Sequence, residues 1–76
     1  MSEARLVLFT RPDCHLCEEA AELLRAQGLA WRAENIDRDL DLIRRYGDRI
    51  PVLRRAATGA ELFWPFDLED VRRFMA

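Results

Sequence analysis

Residues 6–17 have the sequence Leu-Val-Leu-Phe-Thr-Arg-Pro-Asp-Cys-His-Leu-Cys. The continuous apolar run Leu6–Phe9 predicts a strand buried on both faces, because a half-exposed strand would alternate apolar and polar side chains. A proline-containing turn at 11–13 ends this run. Cys14 and Cys17, the only two cysteines of the chain, follow directly. The stretch therefore predicts a strand that leads into a helix whose first turn carries two thiols.

Helical periodicity begins at the first cysteine and continues to Gln27. Apolar side chains recur there at spacings of three and four, which places them on one face of a helix directed at a core: Leu16, Ala20, Leu23 and Leu24. Acidic residues lie in the early turns, where the helix dipole favours negative charge. Gly28 is a suitable C-terminal stop. We expect this helix to pack on the sheet through that face, with Leu16 in the core.

The rest of the chain alternates between strand-like and helix-like patterns. The predicted elements are strands at Ala4–Thr10, Leu29–Ile36, Ile50–Leu53 and Ala60–Trp64, and helices at Cys14–Gln27, at Leu40–Tyr46 and from Asp67 onwards. We expect Asp37 or Asp39 to cap the second helix and Asp67 to cap the third. Leu40, Ile43 and Tyr46 are predicted to form the apolar face of the second helix.

The order of these elements predicts the fold. A strand–helix–strand start implies parallel pairing through a right-handed crossover, whereas the closing hairpin implies an antiparallel edge. The prediction is an α/β protein of thioredoxin-like βαβαββα architecture, with a four-stranded mixed sheet and helices on both faces. No linker or repeat divides the chain, so residues 1–76 are assigned to one domain.

Composition excludes several classes of function. The net charge is −2 and all twelve basic residues are Arg, so no nucleic-acid footprint is indicated. No segment reaches the ~18 apolar residues that a membrane span requires. The run Leu6–Phe9 is too short for the core of a signal peptide, so we expect a cytoplasmic protein. Thiols are kept reduced in that compartment, so two cysteines there suggest chemistry or metal binding more than a permanent crosslink.

The cysteine spacing suits thiol–disulfide exchange. Unpaired amide N–H groups at a helix N-terminus stabilise a sulfur anion, and the thiolate is the attacking species. Cys14, at the entrance, is predicted to be the nucleophile. Cys17 lies nearly one turn deeper and is predicted to resolve the mixed disulfide that forms on Cys14. A protonated His15 would tune the acidity of the pair, although an exposed histidine without a role fits the sequence as well.

Two other interpretations of the cysteine pair stay open. Zinc usually requires four ligands, and this chain offers two Cys and one His, so a zinc or iron–sulfur site would need a second subunit. Alternatively, the domain binds a partner without catalysis and its cysteines are inert. The spacing alone is a moderate signal, and its position between a buried strand and a helix strengthens the redox interpretation.

Ile50-Pro51 is the second element of the predicted site. Proline at the start of a strand cannot donate to the ladder, and bonds that precede proline are where cis peptides occur. With the dithiol present we favour a cis bond. It would turn the backbone N–H and C=O of Ile50 toward the thiols, where they could pair with a substrate backbone.

These motifs together resemble a glutaredoxin, and most closely a family of small bacterial glutaredoxin-like proteins. The resemblance covers essentially the whole chain: residues 10–17, Ile50-Pro51, the hairpin and the helix start at 65–67. It implies a thioredoxin-like fold of glutaredoxin type and thiol–disulfide oxidoreductase activity. By position, Cys14 matches the family's nucleophile, Cys17 its resolving cysteine and Pro51 its cis proline.

The resemblance also implies a set of substrate contacts. Arg11 stands where glutaredoxins commonly have Lys and could bind a carboxylate; Ile50 matches the residue whose backbone pairs with glutathione, and Asp67 is retained at the last helix. The chain departs from the family at Trp64-Pro65, which replaces a Gly-Gly pair, and Pro65 has no N–H to offer. Trp64 and Phe66 instead suggest an apolar rim that could contact a protein substrate, although a hairpin end packed on the last helix fits the sequence at least as well.

The implied partners follow from this chemistry. We expect a disulfide-bearing protein or glutathione as substrate, and glutathione or a reductase as electron donor. No tightly bound cofactor and no metal are predicted. The chain is expected to be a monomer.

Overall fold

The computed structural model describes residues 4–76, so residues 1–3 of the predicted domain lie outside the described residues. The elements are β1 Leu6–Thr10, α1 His15–Gln27, β2 Trp31–Asn35, a 3₁₀ turn Ile36–Arg38, α2 Leu40–Tyr46, β3 Val52–Arg55, β4 Glu61–Phe63 and α3 Leu68–Met75. This order confirms the predicted βαβαββα sequence. β2 is shorter than the predicted strand Leu29–Ile36. At its carboxyl end the reason is that Ile36 already begins the 3₁₀ turn.

The sheet has the strand order β2-β1-β3-β4. β1 pairs parallel with β2 and antiparallel with β3, and β3 pairs antiparallel with β4. Leu8 stands opposite Ala33 on one side and Leu53 on the other, so β1 has a neighbour on both edges. The predicted mixed sheet is therefore confirmed, and its most hydrophobic strand is an inner one.

Successive side chains of β1 contribute to two hydrophobic cores on opposite faces of the sheet. Leu6 and Leu8 contribute to a cluster with Ala20 and Leu24 of α1 and Val71 of α3. Because side chains alternate along a strand, the residues between them point the other way. The helices thus cover both faces, as predicted.

The second core is formed where α2 packs on the sheet. Val7 and Phe9 of β1 lie there with Tyr46 of α2 and Ile36. The rings of Phe9 and Tyr46 stack at a centroid distance of 4.4 Å. The Tyr46 hydroxyl donates to the carboxylate of Glu61, and burial together with this carboxylate raises the pKa of Tyr46. α2 is therefore fixed by one buried aromatic side chain that also has a polar partner.

Leu40 and Leu16, both predicted to be buried, are exposed. Leu40, the first residue of α2, is 70% exposed. At ~100° per residue it lies about 120° around the helix from Tyr46, whereas Leu42 shares the face of Tyr46 and packs on the second core. Leu16 is 43% exposed, because it lies in the first turn of α1, beyond the carboxyl end of β1.

The predicted N-terminal caps of the second and third helices are confirmed. The Asp39 side chain accepts from the backbone N–H of Asp41 at the start of α2, and Asp67 caps α3. Within residues 4–76, none of the helices combines the length and the apolar character that a membrane crossing requires.

Candidate active site

Cys14 is the N-cap residue of α1. Its backbone is extended, and its Sγ accepts a hydrogen bond from the backbone N–H of Cys17 at 3.2 Å. The chain enters this position through Asp13, whose φ of 59° lies in the left-handed region that Asp tolerates better than most residues. The turn thus directs the first sulfur at the free amide groups of the helix N-terminus.

The two cysteines differ in their accessibility. Cys14 and Cys17 are joined by a disulfide, with their Cα atoms 5.2 Å apart. Cys14 is half-buried, whereas Cys17 is 4% exposed. An incoming sulfur therefore reaches Cys14 first, and Cys17 lies behind it against the core. This arrangement suits the predicted roles of nucleophile and resolving thiol.

A surface cavity of about 780 Å³ contains both cysteines in its lining. Arg11 and His15 line it as well, together with acidic side chains: Asp13, Glu18, Glu19 and Glu22. Four of the sequence-predicted site residues are therefore brought together in one place.

The two basic groups nearest the cysteines in sequence face carboxylates. Arg11 donates from Nε and Nη2 to the same oxygen of Asp37, at 3.2 and 2.7 Å. The hydrogen bond and the charge of Asp37 raise the pKa of Arg11 above its ordinary value. His15 is 85% exposed, with its ring nitrogens 3.8 Å from Glu18 and 3.5 Å from Glu19. Its predicted influence on the thiolate stays a prediction.

The Ile50–Pro51 peptide bond is cis, as predicted, and so is Trp64–Pro65, which the sequence did not indicate. Pro51 is buried. Ile50 lines a second surface cavity, of about 440 Å³, with Leu16 from between the cysteines. The structure thus brings the loop before β3 to the first turn of α1.

One part of the prediction for Ile50 needs correction. Its backbone N–H was expected to be available to a substrate, but it donates to the carbonyl of Tyr46 at 3.1 Å. The reason is that α2 ends at Tyr46 and its last carbonyls need donors. The prediction of substrate pairing is therefore restricted to the Ile50 carbonyl.

For Phe66 the structure supports the second interpretation, packing against the last helix, because Phe66 lies in the core with Val71 of α3. Phe66 is 5% exposed and belongs to the core, where it contacts Trp64 edge-to-face at 4.9 Å. Trp64 is half-buried and lines the second cavity together with Phe63, which is 40% exposed. The exposed apolar edge beside the first turn of α1 is thus formed by Leu16, Ile50, Phe63 and Trp64.

Asp67 is engaged at the start of α3. Its carboxylate accepts from the backbone N–H of Asp70 at 2.9 Å, and the Asp70 carboxylate accepts from the backbone N–H of Asp67 at 3.0 Å. This reciprocal capping box lowers the pKa of Asp70. Asp67 lines a third cavity, between α1 and Trp64, which is not lined by the cysteines. Its predicted contact with substrate stays a prediction.

The capping role of Asp67 can be separated from its charge. Asp67→Ala is expected to lower the free energy of unfolding by about 1 kcal/mol, whereas Asp67→Asn should stay within a few tenths of the wild type, because Asn and Asp cap helices equally well. Urea unfolding of the three proteins measures the difference. An equal loss in both variants would show that the negative charge matters and the cap does not.

Asp37 was missed as a site residue. Thr10 stands opposite Asn35 in the register of β1 and β2, so the residues that follow these parallel strands meet at the same sheet edge. The predicted parallel strands indicate that the residues after them lie at one sheet edge. The pairing of Arg11 with Asp37 also depends on the strand register, which the sequence alone does not provide. Within the part of the chain that the structure describes, no group of three or more His, Cys, Asp or Glu side chains could hold a metal ion.

Comparison with known proteins agrees with this geometry. The family described as "Glutaredoxin-like domain (DUF836)" matches residues 5–76. The X-ray structure of the Northeast Structural Genomics target protein XcR50 from X. campestris is 45% identical, over 92% of this chain and 93% of that one, with a TM-score of 0.85. The solution structure of XcR50 is 44% identical, over 93% and 91%, with a TM-score of 0.82.

A second protein gives a similar result. The solution structure of protein Ne2328 from Nitrosomonas europaea is 32% identical, over 97% of this chain and 93% of that one, with a TM-score of 0.81. No curated protein matches the chain significantly. Together the matches confirm the predicted α/β fold of thioredoxin-like type.

Proposed function

The chain belongs to the family of glutaredoxin-like domains, and on that basis we propose that it is a thiol–disulfide oxidoreductase that reduces protein disulfides or mixed disulfides of glutathione. The observation that carries the proposal is the position of Cys14, which caps α1, accepts the N–H of Cys17 and is the more exposed sulfur of the pair. A helix N-terminus stabilises the thiolate that such a reaction requires.

The reaction transfers two electrons from the dithiol to the substrate. The Cys14 thiolate attacks one sulfur of the substrate disulfide, and the other substrate sulfur leaves as a thiolate and takes up a proton. Cys17 then loses its proton and attacks Cys14 Sγ, which releases the second substrate sulfur as a thiol. The product on the protein is the Cys14–Cys17 disulfide, the form that the structure contains. Glutathione or a reductase must supply two electrons to regenerate the dithiol.

Both donors can be tested with one substrate. Reduction of bis(2-hydroxyethyl) disulfide would be followed by NADPH consumption, with glutathione and its reductase in one assay and thioredoxin reductase in the other. We expect turnover in at least one assay, at a rate proportional to the protein added. The absence of turnover in both would contradict the proposed function.

A further inference from the structure

Arg11 is the arginine at the dithiol end of the larger cavity. It lies three residues before Cys14, and its side chain lines the same cavity as both sulfurs. Arg25 also lines this cavity, but it is eight residues beyond Cys17 on α1, which corresponds to about 12 Å along the helix axis. A guanidinium binds carboxylates well, so Arg11 is the group that would hold an acidic substrate beside the reacting sulfur.

The Arg11 guanidinium is already paired with an internal carboxylate. Both donors of Arg11 that point toward the 3₁₀ turn end on one oxygen of Asp37, at 2.7 and 3.2 Å. Asp37 is itself fixed, because its backbone N–H donates to the side chain of Asn35 at 2.9 Å. Asp48 adds a further negative charge that acts on Arg11. The pair uses two of the five N–H donors of Arg11 and offsets its charge, so a substrate carboxylate would have to compete with an internal one.

The other charged groups around Cys14 also disfavour an anionic substrate. The imidazole of His15 faces Glu18 and Glu19, so these two carboxylates would offset a positive charge on it. Asp13 and Glu22 add negative charge to the cavity lining. An anionic substrate consequently meets carboxylates around the disulfide, and the two nearest basic groups are paired.

We propose that Asp37 is a specificity-determining residue, which pairs with the Arg11 guanidinium, offsets its charge and thereby selects against disulfides that carry carboxylates within reach of Arg11. The inference rests on the proposed function and narrows its substrate class. The preferred substrates are disulfides in uncharged or basic surroundings, such as a cystine in a neutral or cationic protein segment. A mixed disulfide of glutathione, whose glutathionyl group carries two carboxylates, is a poorer substrate of the wild-type protein than a disulfide without them.

The test compares three small disulfides of different charge: glutathione disulfide, bis(2-hydroxyethyl) disulfide and cystamine. In Asp37→Asn, the ratio of the second-order rate constant for reduction of glutathione disulfide to that for bis(2-hydroxyethyl) disulfide is expected to rise roughly two- to fivefold, because an exposed ion pair is worth up to about 1 kcal/mol and 1.4 kcal/mol is tenfold. The ratio of cystamine to the neutral disulfide should fall or stay constant. The protein is reduced beforehand and separated from the reductant, and each rate constant is taken from a single turnover, so that no added reductant acts on the substrates directly.

Two control variants make the result specific. Asp41→Asn removes the same charge from an exposed carboxylate that also lies near an arginine, with Arg44 at 4.0 Å, and it should leave the ratio unchanged. Arg11→Ala combined with Asp37→Asn should abolish the gain. A gain that survives Arg11→Ala, or one that Asp41→Asn reproduces, would overturn the proposal.

A binding measurement separates this proposal from the proposed function. In the redox-inactive double variant Cys14→Ser/Cys17→Ser, the Arg11 Nε–H resonance can be followed by NMR during titration with reduced glutathione and with its diethyl ester. Asp37→Asn in this background is expected to lower the Kd for glutathione at least threefold and to leave that for the ester unchanged. Equal effects on both ligands would refute the role of Asp37 even if the protein reduces disulfides. A selective effect would support it even if no turnover is found.

Discussion

Cys14→Ser is expected to reduce disulfide turnover to the uncatalysed background. A serine hydroxyl stays protonated at neutral pH and cannot replace the attacking thiolate, although the helix N-terminus would still be present. The measurement is the NADPH-coupled reduction of bis(2-hydroxyethyl) disulfide with the donor that supports the wild-type protein. Residual turnover above background would mean that Cys14 is not the nucleophile.

The matched control is Cys17→Ser, which changes the buried partner in the same way. Because Cys14 stays at the N-cap and more exposed than Cys17, this variant should still attack a substrate disulfide but should be unable to release it by internal attack. Mass spectrometry should detect a mixed disulfide on Cys14. If the adduct forms instead on Cys17 in the Cys14→Ser protein, the two roles are reversed and the exposure argument is wrong.

The central part of the fold was predictable because it depends on local patterns. The apolar run Leu6–Phe9 indicates an inner strand whatever its neighbours are, and it became β1. The position of Cys14 at the entrance of α1 and the Asp67 cap depend on contacts within three residues, so local sequence was sufficient for them. The cis bond before Pro51 was predicted from the dithiol and the proline together.

The parts that failed depend on where a helix lies relative to the sheet. Leu16 and Leu40 fit a helical stripe, but each lies in the first turn of its helix, and only the tertiary structure decides which side of that turn is covered. The Arg11–Asp37 pair joins residues 26 positions apart and depends on the register of β1 with β2. The feature that most directly concerns substrate charge was therefore the least accessible from sequence.

Leu24→Ala is expected to lower the free energy of unfolding by about 3 kcal/mol, since removal of a buried leucine side chain costs roughly 2–5 kcal/mol. Leu24 has no exposed surface and lies in the core that α1 shares with Leu6, Leu8 and Val71. A domain of 76 residues has a total stability of about 4–11 kcal/mol. The loss should lower the melting temperature by roughly 12–24 °C. Urea and thermal unfolding of the oxidised proteins measure both quantities.

Leu40→Ala provides the control, because it makes the same chemical change in a helix at a residue that is 70% exposed. Leucine and alanine are both good helix formers, so its cost should stay within about 0.5 kcal/mol. The contrast tests the packing of both helices at once: α1, which carries the cysteine pair, is fixed to β1 through Leu24, while α2 is fixed through Tyr46 and not through Leu40. If Leu40→Ala cost as much as Leu24→Ala, α2 would be rotated about its axis relative to this structure, and its position against Phe9 would be wrong.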